Sequence, residues 1–218
     1  MSKKLQIAVF LTLLCLAVVV AACGGLARAE EKSSEAVIVT RPSRVIIETY
    51  NGNIEVVTGA SDKVSAEVTR FSDANQRAAL EDIEFSISQD AGTVTLKARW
   101  PDEMRTSPGN TGVDLKVSIP AGSPVQAVVG NGRIAYQGAL GQGNYSFQTG
   151  NGRIELQLPA DCQFALDATV GNGRISSEFP LGVATNDVHV VRGTVGDDPQ
   201  ASITAVTGNG NIDVKRGE

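Results

Sequence analysis

The sequence predicts an all-β fold, a single-domain β-solenoid of stacked short strands with Asn-Gly corners. Three observations predict it. A phrase recurs as Gly130-Asn131-Gly132-Arg133-Ile134, Gly150-Asn151-Gly152-Arg153-Ile154 and Gly171-Asn172-Gly173-Arg174-Ile175. A last copy reads Gly208-Asn209-Gly210-Asn211-Ile212, and an early one Asn51-Gly52-Asn53-Ile54. The Asn positions of the three Arg copies lie 20 and 21 residues apart, the period of a stacked repeat, and the last copy follows after 37. Apolar residues alternate on both sides of each copy, as Val125, Ala127, Val129 and then Ile134, Tyr136 around the first. Period-two alternation is the pattern of a half-buried strand. Aromatic content is only 5%, which suits a thin core filled by Val, Ile and Leu. An antiparallel β-sandwich fits the same alternation, and periodicity does not separate the two.

The corner chemistry follows from the backbone. Asn and Gly tolerate positive φ, so Asn-Gly between apolar runs is a turn signal. The turn residues are Asn51 and Gly52, Asn131 and Gly132, Asn151 and Gly152, Asn172 and Gly173, Asn209 and Gly210. Gly138, Pro159 and Pro180 close the units. Two short strands do not stabilise themselves in water, whereas stacked units bury a common core.

In chain order, Lys3 and Lys4 precede an apolar run from Ile7 to Val20. That run is shorter than the roughly 20 residues of a spanning helix and suits a secretory signal. It ends at Val20-Ala21-Ala22-Cys23-Gly24, which resembles a bacterial lipobox, in which the cysteine takes lipid and becomes the new N-terminus. Residues 1–22 are then a lipoprotein signal peptide, with Cys23 lipidated. Cleavage after Ala27-Arg28-Ala29, or retention as an uncleaved anchor, are the other readings; each takes the protein out of the cytoplasm. Residues 23–36, small and charged around Glu30-Glu31-Lys32, are expected as a flexible tether. The β-solenoid domain is expected over 37–218. Its strands begin at Val37 to Val39, Val45 to Ile47, Ile54 to Val57 and Lys63 to Thr69. Ser72 to Glu81, with polar residues at its start, is the one helix candidate. Ile83 to Ser88, Thr93 to Trp100 and Val113 to Ile119 alternate again, and Pro101 to Gly112 is a polar loop. Leu181 to Gln200 reads as a degenerate coil or an inserted loop. No linker interrupts the strands, so one domain is expected.

Charge and cysteines narrow the function. Loss of Lys3 and Lys4 takes 19 basic residues to 17 against 24 acidic, a net charge of −7. That argues against nucleic acid as a partner. Cys15 leaves with the signal and Cys23 carries lipid, so Cys162 has no cysteine to pair with and reads as a small buried thiol.

The runs Val117 to Gly122, Val125 to Ile134 and Leu158 to Pro180, with the early Val45 to Val56, resemble the DUF4097 adhesin-like, or toast-rack-like, β-solenoid family over residues 37–216. The resemblance implies an envelope or surface protein with no established catalytic residues.

The residues themselves point to no chemistry. Gly-Asn-Gly-Arg is followed by strand alternation, not by the helix that a dinucleotide fingerprint requires. His189 is the only histidine, no zinc spacing or G-x-S-x-G elbow is present, and the glycine turns lack the Asp of calcium-binding repeats. No cofactor, metal or catalytic residue is expected. The notable feature is the column Arg133, Arg153, Arg174, in register roughly 4.8 Å apart per coil. Glu155, Asp213 and Glu55 offer internal compensation. Alternatively the column is an anion-binding strip for envelope glycan, anionic lipid or an acidic envelope protein. The expected function is therefore a non-enzymatic cell-envelope lipoprotein, membrane-held by its N-terminal lipid, that binds or scaffolds in adhesion, envelope organisation or stress sensing. A glycan-active enzyme on a solenoid scaffold and a purely structural spacer are the alternatives.

Overall fold

The computed structural model describes residues 28–38, 44–100 and 110–217. The expected signal peptide, Cys23 and most of the Pro101 to Gly112 loop lie outside them. The strands are β1 Arg28–Ile38, β2 Arg44–Asn51, β3 Ile54–Gly59, β4 Lys63–Asp73, β5 Glu84–Asp90, β6 Thr93–Arg99 and β7 Gly112–Pro120. They continue as β8 Val125–Asn131, β9 Ile134–Gln137, β10 Gly143–Asn151, β11 Ile154–Pro159, β12 Phe164–Asn172 and β13 Ile175–Ser177. The last four are β14 Gly182–Asn186, β15 Val190–Val195, β16 Ala201–Asn209 and β17 Ile212–Gly217. They form two facing sheets, one ordered β1-β4-β7-β3-β9-β11-β17-β13 and the other β14-β15-β12-β16-β10-β8-β2-β6-β5.

Each Asn-Gly corner carries the chain from a strand of the second sheet to a strand of the first. The interior pairs are parallel: β2 with β8, β8 with β10, β10 with β16, and β3 with β9, β9 with β11, β11 with β17. This is the stacked arrangement of a solenoid, and the antiparallel sandwich does not hold. Antiparallel pairs occur at the ends of the stack, where β1-β4-β7, β5-β6 and β14-β15-β12 cover it.

The spatial order departs from the sequence order. The coil β16/β17 lies between β10/β11 and β12/β13, so the 37-residue step is a return into the stack. Leu181 to Gln200 is neither a degenerate coil nor a plain loop: it holds the hairpin β14/β15. That hairpin pairs with the outer edge of β12 and buries Val191 and Val195. A strand edge left bare at the end of a stack invites pairing, and the hairpin removes it.

Parallel register turns alternation into columns. Leu96, Ile47, Ala127, Phe147, Ala205 and Ala168 face inward side by side. Opposite them run Leu115, Ile54, Ile134, Ile154 and Ile212, each 2% exposed or less. Large and small residues alternate where space demands it, with Phe147 seated between Ala127 and Ala205.

Two other expectations change. Residues 28–36 are not a tether: they belong to β1, which pairs with β4 from Arg28↔Asp73 to Ile38↔Lys63. Their charges sit on an edge strand, where charge discourages further pairing. The segment Ala74–Leu80 is a short 3-10 helix with non-helical backbone at Gln76, and Asp73 gives no side-chain cap. Among the described side chains of this segment Leu80 alone is buried, too little apolar surface to hold an amphipathic α-helix.

Candidate functional site

The corners line up along one edge of the stack. Positive φ falls on the glycines and not on the Asn residues, which end their strands: φ is 149° at Gly132 and 155° at Gly152. A Cβ on Gly132 would lie 1.8 Å from the Gly52 carbonyl oxygen, and one on Gly152 2.0 Å from that of Gly132. Glycine is thus required both by conformation and by the close approach of the next coil. Thr149 and Thr207 sit buried behind the corner, and their hydroxyls donate to the carbonyls of Gly132 and Gly152, both at 3.0 Å.

The corner Asn side chains form a hydrogen-bonded ladder. Asn131 Nδ2 donates to Asn51 Oδ1 at 2.8 Å. Asn151 donates to Asn131, Asn209 to Asn151 and Asn172 to Asn209, each at 2.7 Å. Backbone bonds run beside it, from Gly132 N–H to Asn151 O at 2.9 Å and from Gly152 N–H to Asn209 O at 2.8 Å. Chained bonds of this kind polarise one another and fix the edge.

Two positions further along each corner runs a second row, Asp114, Asn53, Arg133, Arg153, Asn211, Arg174. The three arginines therefore do not form one uninterrupted column, because Asn211 stands between Arg153 and Arg174. Short polar members of the row bind the backbone of the next coil. Asn53 N–H donates to Asp114 Oδ1 at 2.8 Å, Arg133 N–H to Asn53 Oδ1 at 3.0 Å and Arg174 N–H to Asn211 Oδ1 at 3.1 Å.

The arginine side chains differ in their partners. Arg153 Nε lies 2.8 Å from Asp213 Oδ2, and Arg133 Nε 3.8 Å from Glu155 Oε2. Glu155 also pairs with Lys215. The Lys215 hydrogen bond, with the charges of Lys215, Arg133 and Arg153, holds the Glu155 carboxyl below its ordinary value, against an opposing push from burial. Ser176 Oγ donates to Asp213 Oδ1 at 2.6 Å, so that acid is held from both sides. Even so, the Arg133 and Arg153 side chains remain 53% and 50% exposed. The Arg174 guanidinium is exposed and has no ion-pair or hydrogen-bond partner among the described residues. Glu55 stands beside Ala135 in the register and is not joined to the arginines.

The remaining candidates are placed as follows. Cys162 is half-buried, and burial pushes its thiol up, away from a reactive thiolate. His189 lies exposed at the β14/β15 hairpin tip, its N–H donating to Asp187 Oδ1 at 3.0 Å. Among the described residues no group of three or more His, Cys, Asp or Glu could hold a metal ion. No helix among them is long and apolar enough to cross a membrane.

One feature has no signal in the repeat pattern. A cavity of about 580 Å³ is lined by Glu48, Tyr50, Lys97, Arg99, Trp100 and Gly130 among others. Tyr50 and Trp100, the only Trp of the chain, meet edge to face with ring centroids 6.2 Å apart. They come together because β6 stacks outside β2, which their sequence separation does not reveal. Glycoside hydrolysis needs two carboxylates about 5–9 Å apart. Glu48 is the one carboxylate among the described lining residues, and it pairs with Lys97.

No family model and no curated protein matches the chain. Among solved structures, one from Clostridium sporogenes ATCC 15579, named as a cell adhesion protein, is similar over 85% of this chain and 100% of its own, at 13% identity and a TM-score of 0.52. Another, from Bacteroides fragilis NCTC 9343 and named as an adhesin, covers 84% and 96% at 9% identity with a TM-score of 0.26. The first is a likeness of fold; the second is too loose to argue from.

Proposed function

We propose that this chain is a non-enzymatic binding and scaffolding module of the bacterial cell envelope, lipid-anchored at Cys23 outside the cytoplasm. The observation that carries the binding part is the corner edge. Five Asn-Gly corners, locked by side-chain and backbone ladders, hold Arg133, Arg153 and Arg174 on a rigid line. A rigid backbone row that carries exposed guanidinium groups meets an extended anionic partner without first ordering its backbone. The named fold neighbour supports adhesion as the kind of role. The lipobox-like Val20-Ala21-Ala22-Cys23 supports the anchor.

The binding part is tested by replacing Arg133, Arg153 and Arg174 with Gln together. The fold should persist with a lowered melting temperature, because the buried Asp213 loses its Arg153 partner and keeps Ser176, so retention is compared at a temperature where both proteins are folded. Retention on isolated envelope material should fall severalfold, and more steeply at low ionic strength, where surface charge is least screened. Equal retention of the two proteins would overturn the reading and leave a structural spacer.

A further inference from the structure

The strip has a geometric relation to the anchor. β1 enters the fold at the corner edge: Arg28 Nη2 lies 2.9 Å from Asp114 Oδ2, and the Arg28 guanidinium sits 3.8 Å over the Phe71 ring. Asp114 is the first member of the row that runs on through Asn53, Arg133, Arg153 and Asn211 to Arg174. Cys23 precedes Arg28 by five positions, so it reaches at most about 18 Å from this edge. The opposite edge lies one strand length away, on the order of 26 Å for the eight residues of β2.

The entry of β1, the arginines and the exposed Val188 share the corner edge, while the opposite edge holds Ile38, 57% exposed, beside Lys63. The opposite edge presents Asp62, Asp90, Asp161, Asp197 and Asp198, all exposed, against Arg44, Lys63 and Arg216. On the corner edge the β1/β4 end carries Asp73, Glu81, Asp82 and Glu84 with Arg28 and Arg99, the middle of the row carries Arg133 and Arg153, and the β12/β13 end carries Arg174 with Asp187 at the hairpin tip. At the β12/β13 end the β14/β15 hairpin projects beside the last residues of β12. His189 O accepts the Val170 N–H at 2.9 Å, and the neighbouring Val188 is 70% exposed, the most exposed large hydrophobic among the described residues. Basic side chains on the same edge as an exposed aliphatic tip, with Asp187 next to that tip, are elements of an interfacial contact.

We propose that the corner edge lies on an anionic phospholipid surface, with Arg133, Arg153, Arg174 and the Val188 tip touching it. The contact rests on the anchored reading above and names the partner of its strip. The lipid at Cys23 pins one end of the edge, Arg133 and Arg153 hold its middle, and Arg174 and Val188 hold the other end. The first sheet is eight strands wide, so the two points stand about 34 Å apart. Each basic side chain near an anionic surface adds about 1 kcal/mol of attraction, which falls off within a Debye length.

The test uses the chain from Cys23 onward, coupled through that thiol to a maleimide phospholipid in a Cys162→Ala background. The vesicles are phosphatidylcholine with about 30 mol% phosphatidylglycerol, where surface potential attracts basic groups. Single reporters are Val188→Trp and Asp161→Trp in a Trp100→Phe background, with Trp100→Tyr as a second background should Phe cost the fold. Brominated acyl chains should quench the Trp at 188 by more than about half and leave the one at 161 near its unquenched intensity, since only the first lies at the acyl boundary. The Arg→Gln triple variant should lose most of the quenching at 188. Equal quenching at both sites, stronger quenching at 161, or none at 188 would each overturn the contact. Coupling supplies the anchor chemically, so a protein found without lipid in cells defeats the anchored reading and leaves this comparison able to fail or succeed by itself.

Discussion

Replacing Phe147 with Ala is expected to destabilise the domain by about 3–5 kcal/mol, the cost of emptying a large aromatic site in a packed core. Phe147 is 0% exposed, and its ring stands 5.5 Å from that of Tyr136. Its neighbours along the column are Ala127 and Ala205, which have no reach with which to close the void. For a domain of this size the loss corresponds to roughly 10 °C or more in melting temperature. Thermal unfolding followed by circular dichroism reads it directly. A shift below about 2 °C would mean that the column is not close-packed at this point.

The second large effect is expected at a corner. Gly152→Val places a branched side chain at φ 155°, with its Cβ 2.0 Å from the Gly132 carbonyl oxygen. That oxygen accepts the Thr149 hydroxyl, so the strain is passed to a buried hydrogen bond. Backbone strain and overpacking each cost about 1–3 kcal/mol, and together about 3 kcal/mol or more. The same substitution at Gly59, where a Cβ meets nothing within 4 Å and φ is not positive, should change melting by little. Equal stability of the two variants would remove the account of the corner as a site of forced close approach.

Much of this architecture was legible because it is local. The Asn-Gly phrase, the alternation around it and the near-constant period identify coils and corners before any coordinates. The order in which coils stack is not local. Every corner carries nearly the same residues, so nothing at Asn209 announces that its partners are Asn151 and Asn172. What selects the order is complementarity of volume across the columns, such as Ala205 beside Phe147, together with the free edge that β12 offers the hairpin. These are properties of pairs distant in sequence. The same cause splits the arginines: Asn211 enters the row from a coil that follows Arg174 in the chain and precedes it in space.

The edges misled for a different reason. Glu30, Glu31, Lys32 and Glu35 have the composition of a solvated tether, and a protective edge strand has that composition too. Only the full-length pairing of β1 with β4 separates the two. The Tyr50–Trp100 pair lay hidden likewise, since Tyr50 lies in β2 and Trp100 directly follows β6, strands that are far apart in sequence and neighbour each other only in the stack.

The proposed binding role and the proposed orientation both begin from an anchor at Cys23. The most direct measurement is the intact mass of the protein purified from membrane fractions, with and without Cys23→Ala. The account predicts a chain that starts at Cys23 and carries a diacylglycerol mass, with the mass absent and the protein released in the variant. A species that begins at Glu30 without lipid would contradict it.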